Sequence, residues 1–145
     1  GTESALLTAA LGTVCKLASD LTPMTDVRVL RDRFWEMLKE RFGDGVVLNG
    51  HAELRLPNTL SVSFVGRVGA EILAAVPEIA ASTGSACHAG RIELSPVLEA
   101  MGVTPEVGMG AIRFSLGRGT TRAELDSAVS LLADALTSSS TGANA

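Results

Sequence analysis

Residues 59–64 read T-L-S-V-S-F and residues 111–116 read A-I-R-F-S-L, and these two hexapeptides decide the fold class. In the first, Leu60, Val62 and Phe64 share one face while Thr59, Ser61 and Ser63 share the other. In the second, Ile112, Phe114 and Leu116 lie opposite Arg113 and Ser115. A period of two residues is that of a strand with one face buried. Val46-Val47-Leu48 is a third short strand, followed by an Asn49-Gly50 turn, and Glu78 to Ser82 is expected as a fourth.

Helical periodicity surrounds these strands. From Glu3 to Leu21, apolar residues recur at intervals of three and four (Leu6, Leu7, Ala10, Leu11, Val14, Leu17), predicting an amphipathic helix with Cys15 as a packed core thiol on or beside its stripe. Thr22-Pro23 interrupts the pattern. A second helix is expected from about Asp26 to Phe42, with Val27, Leu30, Phe34, Leu38 and Phe42 inward and Arg28, Arg31, Arg33 and Glu36 on a solvated face, ended by Gly43 and Gly45. Short helices are expected over Ala70 to Val76, from Ser95-Pro96 to Met101 with Gly102 as its stop, and after Thr104-Pro105. Thr121-Arg-Ala-Glu124 has capping-box spacing, and Leu125, Val129, Leu132 and Leu136 form the seam of a final helix. The small polar residues from Thr137 onward are expected to form a disordered tail. This order predicts an α+β fold, a small antiparallel or mixed sheet with helices packed on one face.

Composition narrows the function. The chain has 145 residues, 46% hydrophobic, with a formal net charge of −4, which suits one globular domain with its own core. Its basic residues are scattered, so nucleic acid is not an expected partner. No apolar run approaches the roughly 20 residues of a membrane span, so no membrane partner is expected. The absence of a charged-then-apolar leader and the presence of only two cysteines suggest an intracellular, reducing compartment with free thiols. Gly1 runs at once into a helical pattern with no initiator Met, which suits the interior of a longer polypeptide. With two histidines and no ligand-type spacing, no metal site is expected.

The candidate nucleophile is Cys87, in A-S-T-G-S-A-C-H-A-G (81–90). The small residues around it give access, and His88 offers a nearby positive charge, but neighbouring side chains tend to point apart, which makes Cys87-His88 a poor dyad. From the residues alone, Cys87 reads equally as a reactive thiol or an ordinary loop cysteine. Arg113 is the candidate anion binder: its planar fork on the polar face of a strand suits a carboxylate, although an exposed strand arginine is the plainer reading. Arg118, between two glycines, either binds an anion or closes a turn. G-M-G-A and G-R-G lack the strand–turn–helix context of a dinucleotide site. His51 reads as a surface residue beside a turn, and a thiol hydrolase built on Cys87 and His51 lacks an orienting third group.

Four blocks in this order, R-L-P-N-T-L-S-V-S-F (55–64), A-S-T-G-S-A-C-H-A-G (81–90), S-P-V-L-E-A-M-G-V (95–103) and A-I-R-F-S-L-G-R-G-T-T-R-A-E-L-D (111–126), resemble the C-terminal part of the cysteine desulfurase and selenocysteine lyase family. These are pyridoxal 5'-phosphate enzymes related to class V aminotransferases, and the opening G-T-E-S resembles the start of the same region. The resemblance implies roles. Cys87 would take sulfur as a persulfide, or help release selenium in the selenium-specific branch. Arg113 would grip the α-carboxylate of L-cysteine or L-selenocysteine. Thr2 would touch the cofactor phosphate of the partner subunit in a homodimer. Sulfur would pass to an acceptor protein, as in iron–sulfur cluster assembly, in the cytoplasm or else in a mitochondrion or plastid.

The family attaches its cofactor to a Lys beside a His in a large N-terminal domain, whereas the only lysines here are Lys16 and Lys39, on helical faces. The implied organisation is a connecting helix over 1–24, a small domain over 25–137 and a tail over 138–145. The implied function is a C-terminal domain of a C–S or C–Se lyase, inactive alone. A selenocysteine-specific lyase and a non-catalytic module that pairs with a complete enzyme are the alternatives. His88, the S-P-V-L helix start and the run T-T-R-A-E-L-D (120–126) lean toward the selenium branch, S-A-C and R-F-S-L-G-R toward general desulfurases.

Overall fold

A computed structural model of the chain describes residues 2–83 and 94–141. Cys87 and His88 lie outside the described residues. The fold is α+β. Three antiparallel strands, β1 (Val46–Leu48), β2 (Thr59–Phe64) and β3 (Ala111–Ser115), stand side by side in chain order. The register pairs Leu48 with Val62, and Leu60 with Phe114, Val62 with Ile112 and Ser61 with Arg113. Alternation therefore sends the apolar set of both long strands to one face, as the hexapeptides predict.

That apolar face carries the core. Helix α2 (Thr22–Phe42) lays Val27, Phe34 and Leu38 onto it, and α6 (Arg122–Thr141) adds Leu125, Val129 and Leu132. Leu38, Leu60, Val62, Ile112 and Leu132 are wholly buried. Phe34 meets Phe114 edge to face with ring centroids 5.1 Å apart, and Phe42 meets Phe64 in the same way at 5.4 Å. Three short helices, α3 (Gly69–Ala75), α4 (Pro96–Ala100) and α5 (Pro105–Gly108), fill the connections, with Ile72 of α3 joining the core. At the β2–β3 end the backbones close tightly: the Phe64 N–H donates to the Gly110 carbonyl at 3.0 Å, and a Cβ on Gly110 would overlap the Phe64 carbonyl.

Five expectations change. Helix α1 (Ala5–Ala18) forms, with Ser4 capping it by accepting from the Leu7 N–H, but none of its residues is buried. Leu6, Leu7, Leu11, Val14 and Leu17 are exposed, and so is Cys15, which is no core thiol. Periodicity reports that a face is apolar, not that a neighbour covers it. Next, α2 begins at Thr22 instead of Asp26. A proline has no N–H to leave unsatisfied in a first turn, so Pro23 opens the helix, and the Asp20 carboxylate accepts the Thr22 N–H at 2.9 Å.

Arg31 is not on a solvated face. It is 3% exposed, donates from Nη1 to the Leu56 carbonyl at 2.6 Å, and meets Asp32 Oδ1 through Nε and Nη2. Glu78 to Ser82 is not a strand: only Ser82 bridges to Arg113. Finally, α6 runs on to Thr141, into the stretch expected to be a tail. Thr137 and Ser138 fold their hydroxyls back onto the Ala133 and Asp134 carbonyls at 2.8 Å each, so short polar side chains that compete with helix elsewhere are satisfied within it. The capping box forms as expected, with Thr121 N–H donating to Glu124 Oε2 at 2.7 Å and Glu124 N–H to Thr121 Oγ1 at 3.3 Å.

Candidate functional site

The polar face of the sheet holds the site. Arg113, exposed on β3, has β-partners on both sides. Ser61 of β2 stands opposite it in register, and on the far edge Ser82 N–H donates to the Arg113 carbonyl at 3.1 Å while Arg113 N–H donates to Ser82 at 2.6 Å. The guanidinium is thus carried by a stretch of backbone fixed from two directions. Among the described residues it has no acidic partner.

A cleft of about 170 Å³ opens at this point, lined by Ser61, Thr83, Ser95, Val97, Leu98 and Arg113, with the backbone of β3 behind. One cation and three hydroxyls converge there beside two apolar side chains. That is a donor set for a small carboxylate, with the fork of Arg113 able to hold both oxygens. The two ends of the segment that carries Cys87 meet here: Thr83 precedes it, Leu94 and Ser95 follow it, and Thr83 and Ser95 line the cleft.

Below Arg113 the sheet face is wired to the turn after β1. Asn49, only 7% exposed, donates from Nδ2 to Ser63 Oγ at 2.9 Å and to Ser61 Oγ at 3.4 Å, while Ser63 Oγ–H donates back to Asn49 Oδ1 at 3.2 Å. The loop beyond Asn49 is pinned by two arginines. Arg55 donates to the Asn49 and His51 carbonyls at 3.0 and 2.8 Å, and Arg31 holds Leu56. Burial and the neighbouring Arg31 push the Arg55 guanidinium below its ordinary range. This support of the cleft was invisible in the sequence, where Asn49 read as a turn residue and Arg31 as surface. Asn49-Gly50 preceding two alternating serines was the available signal.

The other sequence candidates lie elsewhere. Thr2 is exposed ahead of α1, and no hydrogen bond among the described residues ties it to the cleft. Arg118 donates from Nη2 to the Asp20 carbonyl at 3.5 Å, which ties the turn before α6 to the junction of α1 and α2. His51 Nδ1 accepts the Glu53 and Leu54 N–H groups, each at 3.0 Å, so this nitrogen is already engaged within its own loop. Lys16 is on exposed α1, and the Lys39 ammonium rests 5.9 Å from the centre of the Trp35 ring. A larger open groove, about 740 Å³, runs between residues 78–80, the 115–120 turn and α6. Its acidic groups are Glu78 and Glu124, the latter already committed to its cap, and no cation faces them there.

No family model matches the chain. It is 41% identical over 115 residues to the cysteine desulfurase IscS of Enterobacter sp. (strain 638), covering 79% of this chain and 28% of that protein. It is 44% identical over 111 residues to IscS of Edwardsiella ictaluri (strain 93-146), covering 77% and 27%. A cysteine desulfurase of Frankia sp. (strain EuIK1) is 40% identical over 139 residues, 94% of this chain and 33% of its own length. The chain therefore spans a third or less of these relatives. Among solved structures, a NifS-like protein superposes with TM-score 0.66 at 28% identity over 79% of this chain and 28% of its own. A NifS-like protein from Rickettsia africae ESF-5 superposes with TM-score 0.79 over 94% of this chain and 36% of its own, a likeness of fold at 23% identity. By sequence and by fold, the chain is similar to a portion, a third or less, of the cysteine desulfurases.

Proposed function

We propose that this chain is the substrate-gripping and sulfur-accepting domain of a pyridoxal 5'-phosphate-dependent cysteine desulfurase. The observation that carries this reading is the convergence at one cleft of Arg113 and both flanks of the Cys87 segment. Arg113 holds the α-carboxylate of L-cysteine through its fork, which fixes the amino acid relative to the sheet. The Cys87 thiolate attacks the substrate sulfur. A sulfur–sulfur bond forms as the carbon–sulfur bond breaks, the electron pair leaves with the carbon that becomes alanine, and Cys87 keeps the sulfur as a persulfide for an acceptor protein. Small residues around Cys87 suit a thiol that must meet two partners in turn.

The residues described here do not form a cofactor cradle. Neither lysine reaches the cleft, and Thr2 is the one residue assigned to the phosphate. The attachment lysine and ring pocket are therefore assigned to another portion of the protein, with Thr2 contributing across a homodimer. Activity on L-selenocysteine belongs to the same proposal, because the thiol and carboxylate grip serve either chalcogen.

In the enzyme carrying these residues, Cys87→Ser should abolish sulfide release from L-cysteine. Arg113→Lys should raise KM roughly tenfold or more, since a point charge replaces the fork. Wild-type sulfide release in Cys87→Ser, or an unchanged KM in Arg113→Lys, sinks the assigned roles. The 145-residue chain mixed with pyridoxal phosphate should show no protein-linked visible band; such a band would refute the assignment of the attachment lysine elsewhere.

A further inference from the structure

Arg113 supplies charge to the cleft, but a carboxylate on an exposed guanidinium retains lone pairs that water or the protein must satisfy. Ser61 stands directly across the ladder from Arg113, on the same face of the sheet, and lines the same cleft. Opposed side chains in an antiparallel pair have Cβ atoms about 5 Å apart, so a ligand oxygen lying between them is within reach of both. Ser61 Oγ accepts from Asn49 Nδ2, and a donor approaching one lone pair turns the hydroxyl's own proton elsewhere. No described residue takes that proton.

Asn49 is itself fixed. Ser63, with no exposed surface, accepts from Asn49 Nδ2 at 2.9 Å and donates to Asn49 Oδ1 at 3.2 Å, which holds the amide in place. A buried amide held by Ser63 thus aims an exposed-side hydroxyl. Of its two Nδ2 donations, Asn49 makes the shorter one, 2.9 Å, to buried Ser63 and the longer one, 3.4 Å, to Ser61. The direction of support runs from the buried pair to the cleft.

We propose that Ser61 is a second carboxylate-binding group of this site, donating its hydroxyl to the oxygen that Arg113 holds, and that Asn49 is the positioning residue that aims it. The proposal rests on the reading of Arg113 as a carboxylate grip and deepens it, since it makes the cleft select a carboxylate over an equally charged but spherical anion. Ser61→Ala leaves Asn49 bonded to Ser63, so the fold stays intact while the donor is lost.

The test is titration of the full chain with L-alanine, an unreactive amino acid bearing the same carboxylate, followed by the amide and arginine side-chain NMR signals of Ser61 and Arg113. Ser61→Ala should weaken L-alanine about fivefold to twentyfold, as expected for a hydrogen bond to a charged group, and Ser61→Thr should stay within about twofold of wild type. Ethylamine, which lacks the carboxylate, should shift neither signal. Asn49→Ala should weaken L-alanine as Ser61→Ala does, and adding it to Ser61→Ala should produce no further loss, because one residue acts through the other. Additive losses would overturn the positioning role. If Arg113→Gln abolishes binding while Ser61→Ala matches wild type, Ser61 is refuted and the Arg113 grip survives. If wild type fails to bind, or Arg113→Gln binds normally, both fall together.

Discussion

Arg31→Met is the most informative single change to the scaffold under the cleft. The substitution keeps a long flexible stem in the space that Arg31 occupies at 3% exposure and removes every donor. Two interactions are lost. The contact with Asp32 involves a carboxylate 57% exposed, and a pair so open to water contributes about 0–1 kcal/mol. The bond from Nη1 to the Leu56 carbonyl, at 2.6 Å, is a buried charge-assisted one worth about 1.5–3 kcal/mol. Against these stands the relief of no longer desolvating a guanidinium, which offsets part of the loss. Removing Arg31 also takes a like charge away from Arg55. The net expectation is a destabilisation of about 1–2 kcal/mol, or roughly 4–8 °C in Tm for a domain near this size. The loss should be concentrated in the loop. Amide exchange at Glu53, Leu54 and Arg55, whose N–H groups bond within that loop, should accelerate more than exchange in β2. Thermal melting by circular dichroism and hydrogen-exchange mass spectrometry provide the readouts. An unchanged or higher Tm together with unchanged loop exchange would refute the idea that a buried cation pins this loop.

Two further outcomes follow from the same structure. Gly110→Ala should cost about 3 kcal/mol or more in denaturant unfolding, because its Cβ would overlap the Phe64 carbonyl where the two backbones are bonded; a cost under about 1 kcal/mol would mean that the strands part there without penalty. The Glu124 carboxyl is held below its ordinary range by the backbone N–H of Thr121 and, next, its hydroxyl. A depressed carboxylate contributes above its unfolded value of 4.5 and loses that contribution as pH falls through the lower folded value, so the first turn of α6 should loosen on acidification below about 4.5. NMR exchange at Ala123 and Glu124 reads this, and Glu124→Gln should remove the pH step; a step of the same size in Glu124→Gln would assign it to another group.

Local chemistry made part of this molecule legible from its sequence. The two alternating hexapeptides predict β2 and β3 and their buried faces, since period two is a property of the strand itself. Gly102, with φ near 78°, and the Thr121–Glu124 box mark helix ends in the same self-contained way. What stayed hidden depends on residues far apart in the chain. Arg31 was read as surface because its position on α2 is set by a loop 25 residues later. Ser82 pairs with Arg113 through a single bridge, too short to leave a period. The stripe on α1 has the spacing of a buried face, yet no described residue covers it. The cleft follows the same division: Arg113 stood out by its flanking apolar residues, whereas Asn49 gains its meaning only once register brings Ser61 and Ser63 above it.

The two-sided anchoring of Arg113 has a consequence for how the site can vary. Thr83 follows directly on the Ser82 bridge to Arg113, and Ser95 lines the same cleft, so the chain on both sides of residues 84–93 comes to the strand that carries Arg113. In the sequence, Cys87 is four residues after Thr83 and eight before Ser95. On the proposed function, inserting or deleting residues between Thr83 and Ser95 would change the reach of Cys87 and leave the strand that carries Arg113 unchanged. On that proposal, acceptor choice and substrate choice can change independently.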